Sequence, residues 1–133
     1  MTYLLDTNTC VEYLNGRSRR VLEAFQRRTP EDIALCSIVK AELHYGALRS
    51  KDPQQALAKL EEFLAPFRSL PFDDQCAAAY GRIRARLAQT GSLIGPNDLL
   101  IAAIAVVHAA ILITHNIREF SRVEGLAIED WET

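Results

Sequence analysis

Ile111-Leu112-Ile113-Thr114 is a short continuous apolar run, and it is the clearest buried strand in the sequence. It follows an apolar segment from Leu99 to about Ala109 that reads as a helix, opened by the turn Gly95-Pro96-Asn97. A helix leading into a strand that is apolar throughout is a unit of a parallel sheet, whose strands are covered on both faces. Tyr3-Leu4-Leu5 and Ile33-Ala34-Leu35-Cys36 are runs of the same kind. Leu126-Ala127-Ile128 is a weaker terminal strand, and Arg68 to Phe72 reads as an edge strand because Pro71 cannot donate to a ladder.

The intervening segments carry helical spacing. Cys10 to Leu14 is a short helix after the turn and cap types Thr7, Asn8 and Thr9, and it stops at Asn15-Gly16. Ser18 to about Arg28 buries Val21, Leu22 and Phe25. Ser37 reads as the cap of a helix bearing Ile38, Ala41, Tyr45 and Leu48, and Asp52-Pro53 opens one that Pro66 ends. Asp73 or Asp74 caps a long helix to about Gln89. Strands separated by helices predict an α/β fold, a small sandwich with a mostly parallel central sheet.

The chain has 133 residues, which predicts one domain over residues 1–133. Its 49% hydrophobic content excludes global disorder, and its formal net charge of -2 excludes polycationic nucleic-acid binding. Residues 1–60 hold nine Lys/Arg against seven Asp/Glu, so a local basic surface remains open. Cys10, Cys36 and Cys76 are an odd number at wide spacing, read as buried thiols in a reducing compartment. No signal-peptide pattern opens the sequence, and the longest apolar run, Ile101 to Ile113, is too short to span a bilayer, so a cytoplasmic protein without membrane contact is expected.

Asp6, Glu42 and Asp98 are the residues with a chemistry to offer. Ligands of parallel sheets collect beyond the strand C-termini, where Asp6 lies. Asp98 sits in the first turn of a helix, where the dipole favours negative charge, and Glu42 is in the second turn of the helix after the second strand. Three carboxylates brought together repel one another unless a cation neutralises them. An all-oxygen set without Cys or His suits Mg²⁺ or Mn²⁺, which activates water and stabilises charge on a phosphoryl group. On spacing alone, capping by Asp6 and Asp98 and a solvated Glu42 is the favoured reading.

The segments Leu4-Leu5-Asp6-Thr7-Asn8, the Glu42 helix, Gly95-Pro96-Asn97-Asp98-Leu99-Leu100 and Ile113-Thr114-His115-Asn116-Ile117-Arg118-Glu119-Phe120 resemble the PIN-domain ribonucleases, and more closely the VapC-like toxins of type II toxin–antitoxin pairs. The resemblance covers essentially the entire chain. It implies a three-layer α/β/α sandwich and a Mg²⁺- or Mn²⁺-dependent endoribonuclease, acting on RNA such as transfer RNA, blocked by a cognate antitoxin and commonly a homodimer. Carried over, it implies Asp6, Glu42 and Asp98 as metal ligands and catalytic residues. Asn116 falls where many relatives place a fourth acid, and its amide is expected to orient water or phosphate by hydrogen bonding. Thr114 matches a hydroxyl residue that positions water, Asn8 one that organises the first ligand, and Glu119 can restore part of the missing charge.

Arg17, Arg19 and Arg20 form the densest basic run and are candidates for the RNA backbone, together with His115 beside Asn116. An apolar groove near Val11, Leu14, Tyr45 and Leu48 is the expected antitoxin surface. A phosphatase with an aspartyl nucleophile would need a second aspartate after the first strand and a late lysine, and the sequence has neither. A noncatalytic RNA-binding or protein-interaction module stays open because of Asn116.

Overall fold

The computed structural model describes residues 1–133. Its strands are Tyr3–Leu5 (β1), Ile33–Cys36 (β2), Arg68–Leu70 (β3), Ile111–Ile113 (β4) and Ala127–Glu129 (β5). The helices are Thr7–Asn15 (α1), Arg19–Gln26 (α2), Ser37–Leu48 (α3), Pro53–Leu64 (α4), Asp74–Gln89 (α5), Pro96–Val107 (α6) and Ile117–Phe120 (α7). The sheet order is β3-β2-β1-β4-β5 and every pairing is parallel. The connections from β1 through β2 to β3 run one way across the sheet, while those leading to β4 and β5 run the other, and parallel crossovers of this kind are right-handed as a rule. Helices therefore cover both faces, giving the three-layer α/β/α sandwich.

Reversal of direction at β1 and β4 creates a crevice beyond their C-terminal ends, the usual ligand position in such sheets. The β1–β4 ladder runs to its lip, where the Asp6 N–H donates to the Ile113 carbonyl at 2.9 Å. Leu4, Leu5, Leu112 and Ile113 beneath it are wholly buried, each worth roughly 1.5–3 kcal/mol of apolar transfer. The strand ends that carry the polar residues are thus rigidly anchored. All three cysteines are buried and unpaired.

Several helix starts differ from the sequence reading for reasons that bear on the site. Helix α1 begins at Thr7 rather than Cys10, because the Asp6 carboxylate accepts from the Thr7 N–H at 2.8 Å and caps it. Its other end is a Schellman turn: Gly16, at φ 63°, takes the left-handed position, with the Gly16 and Arg17 N–H groups bonded to the Tyr13 and Glu12 carbonyls. Ser37 is the first residue of α3 and Cys36 its cap. Helix α6 begins at Pro96, whose missing N–H costs nothing at that position, and Asp98 lies in its first turn as expected. The single turn α7, which places Asn116 and Glu119, has too few apolar residues to show a period in the sequence.

Candidate metal and active site

Asp6 is buried at the end of β1, and each oxygen of its carboxylate has a donor. Oδ1 accepts from the Thr7 N–H at 2.8 Å, and Oδ2 accepts from the hydroxyl of Thr114, just past β4, at 2.8 Å. Burial nevertheless holds the Asp6 carboxyl above its ordinary pKa, against the pull of these bonds, and the nearby Glu42 and Glu119 charges push the same way. Thr7 has a second role: its hydroxyl donates to Glu42 Oε1 at 2.8 Å. One residue therefore ties together the carboxylates from β1 and α3.

Asp98 reaches the same crevice from α6. Its pKa is raised to about 7 by burial first, then by a hydrogen bond with Glu119 and the charges of Asp6, Glu119 and Glu42. Glu119 moves the opposite way, held down by the Gly95 N–H on Oε1 at 2.6 Å and the Asn116 side-chain amide on Oε2 at 3.0 Å. Of the two carboxyls, Asp98 is thus the one pushed toward its protonated form. Gly95 matters for this approach, since a Cβ there would stand 3.4 Å from Glu119 Oε1 and 3.7 Å from Asp98 Oδ2.

Asp6, Glu42, Asp98, Thr114, Asn116 and Glu119 are thus brought to one place. The Asn116 amide is engaged by Glu119, and its backbone N–H donates to Thr114 Oγ1 at 3.0 Å. Asn8 faces solvent, as do Arg17, Arg19 and Arg20. Val11 and Leu14 line a groove of about 410 Å³ with Leu43, Ala47 and Leu60. Tyr45 and Leu48 stand on α3, 66% and 57% exposed, with the Arg49 guanidinium 5.3 Å from the Tyr45 ring. Sequence reading missed Thr7, although a hydroxyl next to a strand-end carboxylate is a signal it could have used.

A second group was also missed. His115, Asp130 and Glu132 form a cluster able to coordinate a metal ion, their donor atoms all within 4.8 Å of one another. His115 thereby lies among acids, and its bond to Asp130 raises its pKa. Asp130 and Glu132 follow β5, and no local spacing predicts that they stand beside residue 115.

Residues 3–126 match the family model of the PIN domain. "Ribonuclease VapC2" of Rickettsia felis is 41% identical over 133 residues, with 99% of each chain covered. The "tRNA(fMet)-specific endonuclease VapC" of Salmonella typhimurium is 38% identical over 131 residues, with 98% of each covered. Among solved structures, DNA-bound VapBC from S. typhimurium superposes with a TM-score of 0.92 at 38% identity, covering 98% of both chains. VapBC2 from R. felis, bound to a DNA fragment from its promoter, gives 0.88 at 41% identity, covering 98% of this chain and 99% of that one.

Proposed function

Since the chain belongs to the PIN-domain family, and within it to the VapC-type ribonuclease toxins of toxin–antitoxin systems, we propose that Asp6, Glu42 and Asp98 are its metal ligands and catalytic residues, acting on RNA phosphodiesters. The observation that carries this reading is the crowding of three carboxylates that no ion pair in the protein relieves. Such crowding fits a hard divalent cation, because an all-oxygen donor set favours Mg²⁺ or Mn²⁺. When bound, such an ion acts as a Lewis acid toward water and a phosphoryl group.

The chain's own residues hold this arrangement. Thr114 and Thr7 fix both oxygens of Asp6, and Thr7 also aims Glu42. Asn116 orients Glu119, which keeps Asp98 facing the crevice and supplies the charge that Asn116 lacks. Arg17, Arg19 and Arg20 are the phosphate contacts of this reading, exposed at the start of α2. Asn8 and His115 are the remaining candidates for ordering the site and touching RNA. The substrate class is structured RNA, transfer RNA included, in the cytoplasm.

The groove between α1, α3 and α4 is the antitoxin surface in this reading. Val11 and Leu14 line it, and Tyr45 and Leu48 offer apolar area beside it. Leu48→Asp is expected to weaken antitoxin binding in a folded protein, and unchanged affinity would remove Leu48 from the surface. Homodimerisation belongs to the same reading, and light scattering over a concentration series tests it. For the enzyme, purified protein is incubated with total cellular RNA and Mg²⁺ or Mn²⁺, and the ends are mapped beside an Asp98→Asn control. Discrete metal-dependent cuts absent from the control are expected, whereas identical patterns from both proteins would favour a noncatalytic module.

A further inference from the structure

Parallel pairing sets Ile113 of β4 against Glu129 of β5, and the Thr114 N–H donates to the Glu129 carbonyl at 3.0 Å. The residues just beyond this pairing emerge side by side, His115 from β4 and Asp130 and Glu132 from the segment after β5. His115 Nδ1 lies 2.9 Å from Asp130 Oδ2 and 3.9 Å from Glu132 Oε2. Ligand atoms around a tetrahedral ion with bonds of about 2.0–2.2 Å stand roughly 3.3 Å apart, so these separations bracket what such an ion needs.

The carboxylates are also held in place. The Glu132 N–H donates to Asp130 Oδ1 at 2.8 Å, which leaves Oδ2 turned to the imidazole. Trp131, between them in the chain, is buried edge-on against Phe25 with ring centroids 5.5 Å apart. Its indole N–H donates to Glu129 Oε1 at 2.9 Å, and the Arg28 guanidinium stacks on its ring at 4.6 Å. Side-chain exposure is 12% for Asp130 and 21% for Glu132 but 61% for His115, so the group opens to solvent on the imidazole side.

We propose that His115, Asp130 and Glu132 form a second divalent-ion site, taking a borderline transition ion of the Zn²⁺ and Co²⁺ class through one imidazole nitrogen and two carboxylate oxygens. Imidazole suits such ions, whereas Mg²⁺ prefers oxygen alone, and two carboxylates with a neutral imidazole balance the ion's charge. Three protein ligands leave a position open to water or a phosphate oxygen. The site shares no ligand with the carboxylate cluster, yet His115 lies between Thr114, which holds Asp6, and Asn116, which holds Glu119. An ion there clamps the exit of β4 to the C-terminal segment and stiffens the supports of the neighbouring crevice.

The test is titration of the metal-free full chain with Co²⁺ and Zn²⁺, followed by calorimetry and by the visible absorption of Co²⁺, for the natural protein, His115→Ala and Asp98→Asn. The natural protein is expected to take up one ion more than His115→Ala, and the absorption of a nitrogen-containing, low-coordinate Co²⁺ site is expected to vanish in His115→Ala and persist in Asp98→Asn. Glu132→Gln, which keeps the imidazole–Asp130 pair, is expected to weaken that ion by at least ~10-fold, and it decides the matter should His115→Ala fail to fold. Equal stoichiometry and affinity in the natural protein and the folded variants would overturn the site. Loss confined to Asp98→Asn would do the same while leaving the carboxylate cluster's reading intact.

Discussion

The crevice beyond β1 and β4 gathers acids held by neutral hydrogen-bond donors, while the cluster one strand over pairs its acids with an imidazole that faces water. In the crevice, burial and like charge together push the Asp98 carboxyl up to about 7. Beside β5, the hydrogen bond with Asp130 instead raises the His115 pKa. The difference shows that two groups of acids on one sheet edge can have opposite charge balances. One concentrates like charge, and the other has a basic partner at hand.

Substitutions can break this contrast at its strongest point first. Asp98→Asn is expected to lower RNA cleavage by ~100-fold or more, since outer partners of metal sites alone are worth 10- to 100-fold. The metal-free variant should melt no lower than the natural protein, because a repelling charge is gone; a matching loss of melting temperature would mean the activity loss is unfolding. Thr114→Val keeps the buried shape but strips the donor from Asp6 Oδ2, and roughly 10- to 100-fold weaker Mg²⁺ dependence of cleavage is expected. A stability cost of ~1–3 kcal/mol should accompany it in denaturant titration.

The acids' repulsion sharpens the contrast through pH. Asp98 has an ordinary pKa of 3.8 and a folded one of about 7, so folding favours its protonated form. That contribution is fully present below the lower value and lost as pH rises through the higher. Metal-free melting temperatures should therefore fall across this window, and saturating Mg²⁺ should flatten the fall; a flat metal-free profile would contradict the crowding. The smallest effect is expected from Asn8→Ala, whose side chain faces solvent, and a change in cleavage beyond about threefold would assign Asn8 a contact with RNA.

How far the sequence was legible follows from periodicity and range. The strands at Tyr3, Ile33 and Ile111 were visible because parallel strands covered on both faces are apolar without interruption. Asp6 and Asp98 stood out as candidates because one ends a strand and the other opens a helix at the same sheet edge, although a carboxylate at either place can equally serve a helix start. Thr7 was not, since its role depends on Glu42, 35 residues away in sequence. The join of Asn116 to Glu119 needed α7, a single turn without a stripe, and the company of His115 needed the register of β4 on β5. Contacts made across the sheet leave no local period.

Asp6 starts α1 and is, in the proposed function, the first metal ligand, and these duties can be separated by one atom. Asparagine caps a helix about as well as aspartate and still accepts from the Thr7 N–H, but it carries no charge. A chain altered to Asp6→Asn should therefore stay folded, keep its α1–α3–α4 groove, and lose its chemistry. In a population selected against the toxin, this is an exit that leaves an inert decoy, still able to draw antitoxin away from any active copy nearby.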